Sequence, residues 1–194
     1  MSIFSALLQK TSSIRSIGIL FIASHLVLLS MMVFTFPIIN NQIGTRAFDL
    51  QTFGYSVSIA ELIVNSLDSQ ATRLYLFPQL TFLDLLYPLL LALFLSSLLF
   101  RITNSGRKLG SVIVVVPFLA MVFDYSENLC IILMITKSVT ISEPFVLMSS
   151  SFTILKGLLT STAWIAVFIL SIRRLTLRIK EKKNEQNFAK PKLH

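Results

Sequence analysis

The chain has 194 residues, of which 54% are hydrophobic and only 13% charged, and its mean hydropathy of +0.78 is too high for a water-soluble domain of this length. The net charge of +8 would suit nucleic acid, but the basic residues lie mostly outside the apolar runs, where lysine and arginine set membrane topology, so we expect no nucleic-acid partner. The single cysteine, Cys130, excludes an internal disulfide and a cysteine-based zinc site.

The first residues of the chain place Ile3, Phe4, Leu7 and Leu8 at helical spacing. This spacing predicts a short amphipathic segment that lies on the cytoplasmic membrane surface. A frayed terminus is the alternative, because chain ends are often poorly ordered.

Four apolar windows follow, each long enough to cross a bilayer core as a helix, which takes about 20 residues. They predict an all-α integral membrane four-helix bundle in one domain, residues 1–172, followed by a basic cytoplasmic tail, residues 173–194. The predicted spans are residues 16–38, 77–100, 111–136 and 145–172.

Lysine and arginine are unequally distributed around these windows, and the richer side is expected to be cytoplasmic. We therefore expect both termini in the cytoplasm and a multi-pass protein of the bacterial inner membrane, because no transit or retention signal is recognised. The cytoplasmic flanks carry Lys10, Arg15, Arg101, Arg107, Lys108, Arg173, Arg174, Arg178 and Lys180, whereas Asp49, Glu61 and Asp68 dilute Arg46 and Arg73 on the outer side.

The predicted outer loop, residues 39–73, is longer than a simple helix connection requires. Ser58 and Glu61 have the spacing of a helix capping box, which predicts a short outer amphipathic helix. Its apolar face would consist of Ile59, Leu62, Ile63 and Leu67. Three aromatic residues precede it, and either they anchor the loop at the interface or they cover a pocket between the spans: Phe48, Phe53 and Tyr55.

Ionisable residues inside the predicted spans are the most informative feature, because each costs at least about 2.5 to 3.5 kcal/mol in hydrocarbon. The second span carries Asp84, the third carries Asp124 and Glu127, and the fourth carries Lys156. A rise of about 1.5 Å per residue places all four roughly 10 to 18 Å from the outer boundary, so we expect one polar cluster. Pro88 and Pro117, in the second and third spans, are expected to kink their helices near this layer.

Neighbouring polar residues extend this cluster. Asn128 shares a helical face with Asp124, and Tyr87 shares one with Asp84, so both are candidate ligand or proton-binding residues. Three acids against one lysine leave two negative charges uncompensated. A proton, a cationic ligand or an outer arginine such as Arg73 must complete the balance, and Arg73 and Tyr75 are candidate outer-gate residues.

Other chemistries are less well supported. Lys156 would oppose a divalent cation and no acidic spacing matches a calcium loop, so we expect neither a metal nor a cofactor. His25 in the first span either joins the cluster as a proton carrier or simply bonds a neighbouring carbonyl.

Four segments together resemble a group of small four-span bacterial membrane proteins of uncharacterised activity. The resemblance covers the chain from the outer loop to the fourth span and implies no substrate, cofactor or catalytic residue. The segments are Arg73-Leu-Tyr75, Asp84-Leu-Leu-Tyr87-Pro88, Asp124-Tyr-Ser-Glu127-Asn128 and Ser151-Phe-Thr-Ile-Leu-Lys156.

The leading hypothesis is a membrane protein whose ionisable cluster binds protons and a small polar or lipid-headgroup ligand, in a binding, sensing or transport-accessory role. One alternative is an intramembrane enzyme acting on a lipid or isoprenoid, with Asp124 or Glu127 as general acid or base. The other is an accessory subunit of a membrane complex, whose cluster only locks the helices together. Membrane lipids, a second copy of the chain or a larger complex are the expected partners.

Overall fold

The computed structural model describes the backbone of residues 3–103 and 112–189, and the side chains of residues 4–103 and 112–180. Within these ranges the chain is helical and contains no strand, which confirms the all-α prediction for the described part. The helices are α1 (Ile3–Thr11), α2 (Ile14–Ile43), α3 (Val57–Ser66), α4 (Ser69–Thr103), α5 (Val116–Ile135) and α6 (Glu143–Ala189).

Four of these helices, α2, α4, α5 and α6, are long and apolar enough to cross a membrane. Their number agrees with the four predicted spans, but α2 ends later and α4 begins earlier than predicted. The predicted loop at residues 39–73 therefore shrinks to residues 44–68, which we call the 44–68 connection. Residue 111, where the third span was predicted to start, lies outside the described residues, as do Arg107 and Lys108.

The fourth long helix does not end near residue 172, because α6 continues without a break to Ala189. The described part of the segment predicted as a tail is therefore an extension of α6, while residues 190–194 lie outside the described residues. Near its start, the Arg174 guanidinium donates to the backbone oxygen of Arg101, at 2.5 Å, and so contacts the end of α4.

The predicted N-terminal amphipathic segment is helical and forms α1. Leu8 is buried in a cluster with Leu99 of α4, whereas Leu7 is exposed. The Thr11 and Ser97 hydroxyls are 2.6 Å apart, so a polar contact adds to this packing. The first helix thus packs on α4.

The 44–68 connection folds back onto the long helices and covers the largest apolar core. Its helix α3 begins two residues earlier than predicted: Ser56, not Ser58, is the N-cap and accepts a hydrogen bond from the Ile59 backbone N–H at 3.4 Å. The capping box predicted from Ser58 and Glu61 is therefore wrong. Of the predicted apolar face, Ile59, Ile63 and Leu67 pack against the core, whereas Leu62 is 46% exposed. Ala60 and Val64 are also buried.

The middle of the 44–68 connection is fixed to α6. The Tyr55 backbone N–H donates to Ser150 Oγ at 2.8 Å, and the Tyr55 hydroxyl lies 2.6 Å from Ser149 Oγ. Phe48 packs against Tyr55 with ring centroids 4.9 Å apart, and both are buried. Phe53, which was predicted to act with them, is 93% exposed.

Two of the long helices contain a wide π-type segment, at Met31–Thr35 in α2 and Tyr75–Leu83 in α4. The Thr35 hydroxyl, which donates to Gln79 Oε1, joins the two segments. Phe77 has non-helical backbone angles immediately before Pro78, so α4 is interrupted there. Pro117, which was expected to kink its helix, lies in the first turn of α5, where its missing N–H costs no hydrogen bond.

Candidate functional site

The structure brings together three of the predicted ionisable residues at the contact between α5 and α6. Lys156 Nζ contacts Asp124 Oδ1 and lies 2.7 Å from Glu127 Oε2. The Thr153 hydroxyl donates to Glu127 Oε1 at 2.6 Å. Glu127 is fully buried, so its charge depends on these two partners.

The α5 helix is joined to α4 beside Asp84. Asn128 Nδ2 donates to the backbone oxygen of Asp84 at 3.3 Å, and the Tyr125 hydroxyl donates to the backbone oxygen of Leu85 at 2.6 Å. In a regular helix the Asp84 oxygen would accept from the N–H four residues later, but that residue is Pro88, which has none. The proline therefore frees the carbonyl that Asn128 uses.

The Asp84 side chain does not join the Lys156 ion pairs. Its carboxyl group instead lies beside that of Asp49, from the 44–68 connection, and both residues line the same cavity. The Tyr75 hydroxyl donates to Asp49 Oδ2 at 2.7 Å and accepts from the Phe48 backbone N–H at 2.8 Å. Tyr75, predicted as an outer-gate residue, thus holds Asp49 against Asp84.

Arg73, one of the candidates to balance the negative charge of the cluster, does not do so. Its side chain is exposed, and within residues 4–103 and 112–180 the only ion pairs are those of Lys156. The interruption at Phe77 lies between Arg73 and Asp84, so regular helical spacing does not relate the two residues.

A cavity of about 290 Å³ lies against these groups. Asp49, Asp84, Asp124 and Lys156 line its polar part, with Tyr87 beside them. The rest of the wall is mainly apolar and comes from all four long helices, including Met31, Met32, Phe36, Leu91, Leu95, Pro117, Met121 and Gly157. The cavity is thus charged in one part and apolar in the other.

Several carboxyl oxygens in this region lack a hydrogen-bond donor. Among the described residues, Asp49 Oδ1, Asp84 Oδ2 and Asp124 Oδ2 are buried and have no donor. Asp84 is 4% exposed and Asp124 8%, and both line the cavity. Because buried polar atoms are normally hydrogen-bonded, these acceptors indicate a proton or a donor-bearing ligand.

Asp49 is the site residue that the sequence reasoning missed. Its position in a polar loop made it look like one of several acids diluting the basic residues there. The available signal was its place between two large apolar residues, Phe48 and Leu50, both of which pack into or against the core.

His25 lies outside the polar cluster. Its Nδ1 is 2.8 Å from the backbone oxygen of Phe21, as the carbonyl-bonded alternative expects, and its ring packs near Phe94 and Trp164.

No group of three or more His, Cys, Asp or Glu side chains suited to a metal occurs in the described part of the chain. No protein-family model, curated protein or solved structure matches the chain.

Proposed function

We propose that the chain is a multi-pass membrane protein whose four long helices form a bundle around a site that binds protons and a small polar or lipid-headgroup ligand. Both termini are cytoplasmic and the 44–68 connection lies on the outer side, in a bacterial inner membrane. The positive-inside distribution of lysine and arginine supports this orientation.

The observation that carries the proposal is the cavity lined by carboxyl oxygens without donors. A network that only held helices together would be expected to satisfy its own polar atoms. Asp84 and Asp124 instead keep one free acceptor each at the cavity wall. Concave, mostly apolar sites with a few polar groups are typical of small-molecule binding.

The role is binding or sensing, or an accessory role in transport. Alternating access usually relies on paired structural repeats. A single bundle of four helices that lacks such a repeat would need a second copy or a larger complex to transport its ligand. Membrane lipids surround the bundle and are the first candidate source of the ligand.

A cavity-filling substitution tests the proposal. Gly157 lines the cavity, and a Cβ added there would lie more than 4 Å from the atoms of the neighbouring elements, so Gly157→Leu directs a side chain into the cavity without a clash at Cβ. Gly18→Leu is the matched control, since Gly18 also has open space and does not line the cavity.

The measurement is native mass spectrometry of detergent-purified protein after exposure to a bacterial lipid and metabolite extract. We expect wild type and Gly18→Leu to retain the same small molecule and Gly157→Leu to lose it. Absence of any retained molecule in wild type, or equal retention in all three proteins, would contradict the proposal.

A further inference from the structure

We propose that the ligand of this cavity is a compact organic cation with an apolar body, and that it binds in exchange for a proton shared by Asp49 and Asp84. The inference rests on the proposed binding function and specifies its ligand class.

The carboxyl groups of Asp49 and Asp84 lie side by side at the cavity. Asp49 Oδ2 already accepts from the Tyr75 hydroxyl, while Asp49 Oδ1 and Asp84 Oδ2 have no donor among the described residues. Two carboxylates in contact repel each other strongly, and such pairs commonly hold one proton between them. That proton is the donor that the pair otherwise lacks.

The acids around the cavity outnumber the one lysine beside them. Lys156 is engaged by Asp124 and Glu127, both within ion-pair distance of its ammonium. The region holds four carboxyl groups, those of Asp49, Asp84, Asp124 and Glu127. With one shared proton they carry three negative charges, and the positive charge of Lys156 leaves a net charge of minus two. An anionic ligand would add to this excess, whereas a cation that replaces the shared proton leaves it unchanged and brings N–H donors to the carboxyl oxygens.

Charged and titratable groups reach the pair from several elements, and among the described residues Lys156 is the one cation near it. The 44–68 connection contributes Asp49 and α2 contributes only uncharged wall residues such as Met31, Met32 and Phe36. The other groups are Tyr75 and Tyr87 on α4, Asp124, Tyr125 and Glu127 on α5, and Lys156 on α6.

The apolar part of the cavity is lined by methionines and aromatic residues. Met31, Met32 and Met121 are flexible thioether side chains that adapt to irregular apolar shapes. Phe36 and Tyr87 add aromatic rings, whose faces attract cations. A volume of about 290 Å³ is at the lower end for ligand pockets, which favours a compact molecule.

The exchange balances in charge and in protons. The cavity starts with one carboxylic acid and one carboxylate in the Asp49–Asp84 pair. When the cation enters, the shared proton leaves to water and both groups become carboxylates that face the ligand. Its ammonium N–H groups then supply the donors that the unpartnered oxygens lack.

The test uses three six-carbon probes that share one tail: hexylammonium, hexanol and hexanoate. Calorimetric titration of the purified full chain in two buffers of different ionisation enthalpy gives both the Kd and the number of protons released, with empty micelles subtracted. We expect hexylammonium to bind at least about tenfold more tightly than the other two probes, and to release the shared proton.

A substitution assigns the effect to the pair. Asp84→Asn should weaken hexylammonium binding at least about tenfold and abolish proton release. Glu61→Gln, an exposed acid on α3 away from the cavity, should behave as wild type.

The comparison of the three probes on wild type stands even if Asp84→Asn fails to fold. Equal or tighter binding of hexanol or hexanoate overturns the cation inference and leaves the proposed binding function intact. Hexylammonium binding without proton release overturns the exchange. Failure of all three probes overturns the inference, and the proposed function falls with it only if wild type also retains no molecule from the extract.

Discussion

The ammonium of Lys156 and the carboxylate of Glu127 lie 2.7 Å apart, and Glu127 is fully buried at the contact between α5 and α6. The same ammonium contacts Asp124, so one cation serves two acids on adjacent turns of α5. A buried charge of this kind is tolerated only while its partner is present. The two acids at the α5–α6 contact therefore depend on a single lysine for their counter-charge.

Replacing that lysine should destabilise the protein strongly. Lys156→Met leaves Asp124 and Glu127 without a cation, and removal of one partner of a buried pair costs about 3 to 5 kcal/mol. We expect the double variant Lys156→Met/Glu127→Gln to recover part of this loss, because it removes one of the uncompensated charges. Thermal unfolding in detergent measures both, with the exposed Lys180→Met as control. A double variant less stable than the single one would contradict this account.

The hydroxyl of Thr153 should contribute measurably to the same contact. Thr153→Val keeps the shape of the side chain but removes the donor that Glu127 Oε1 accepts at 2.6 Å. We expect a loss of about 1 to 3 kcal/mol, since a buried acceptor is left unsatisfied. Thr162→Val is the matched control, because the exposed Thr162 hydroxyl donates only to the backbone oxygen of Leu158. Equal effects of the two substitutions would show that Glu127 does not need this donor.

Two glycines should respond to alanine in opposite directions. Gly54 has a φ of +85°, and an added Cβ would clash with Ser150 Oγ and crowd Ile154, so Gly54→Ala should destabilise by at least about 1 kcal/mol. Gly18 lies inside α2 with open space around it, so Gly18→Ala should stabilise by about 0.5 to 1 kcal/mol. The comparison requires only two melting curves beside wild type. A stabilising Gly54→Ala would show that the 44–68 connection is not fixed to α6 as described.

The hydrogen bond of Tyr55 should make a stability contribution that disappears at alkaline pH. Burial raises the pKa of the Tyr55 hydroxyl above its ordinary value, so it stays protonated beside Ser149 in the folded chain. We expect Tyr55→Phe to cost about 1 kcal/mol near neutral pH. Above the unfolded-state pKa of about 10, ionisation favours the unfolded wild type but not the variant, so the difference should shrink. A difference that stays constant between neutral pH and pH ~11 would contradict the role of this hydroxyl.

The part of the site that the sequence predicts is the part governed by helical periodicity. Asp124, Glu127 and Asn128 share a face because they are three and four residues apart, and the rise of the helix brings Lys156 to the same level. The distances of Lys156 from Asp124 and Glu127 confirm that these three residues meet.

The pairing of Asp49 with Asp84 is not predictable in this way. It depends on how the 44–68 connection folds back, which is decided by the burial of Phe48 and by the contacts of Tyr55 with α6. These are contacts between residues distant in sequence, and spacing along the chain does not encode them. The exposure of Arg73 has a similar origin, since the interruption of α4 at Phe77 breaks the periodicity between Arg73 and Asp84.

The placement of Lys156 on the last long helix has a consequence for biosynthesis. A chain is made from its N-terminus, so α5 is complete before the ribosome adds Lys156. In the proposed topology Asp124 and Glu127 have no counter-charge until α6 follows, and an isolated α5 would enter the bilayer poorly. We therefore expect α5 and α6 to insert into the bilayer together, as a helical hairpin. Asp49 and Asp84, by contrast, both lie in the first half of the chain and can approach each other before α5 is made.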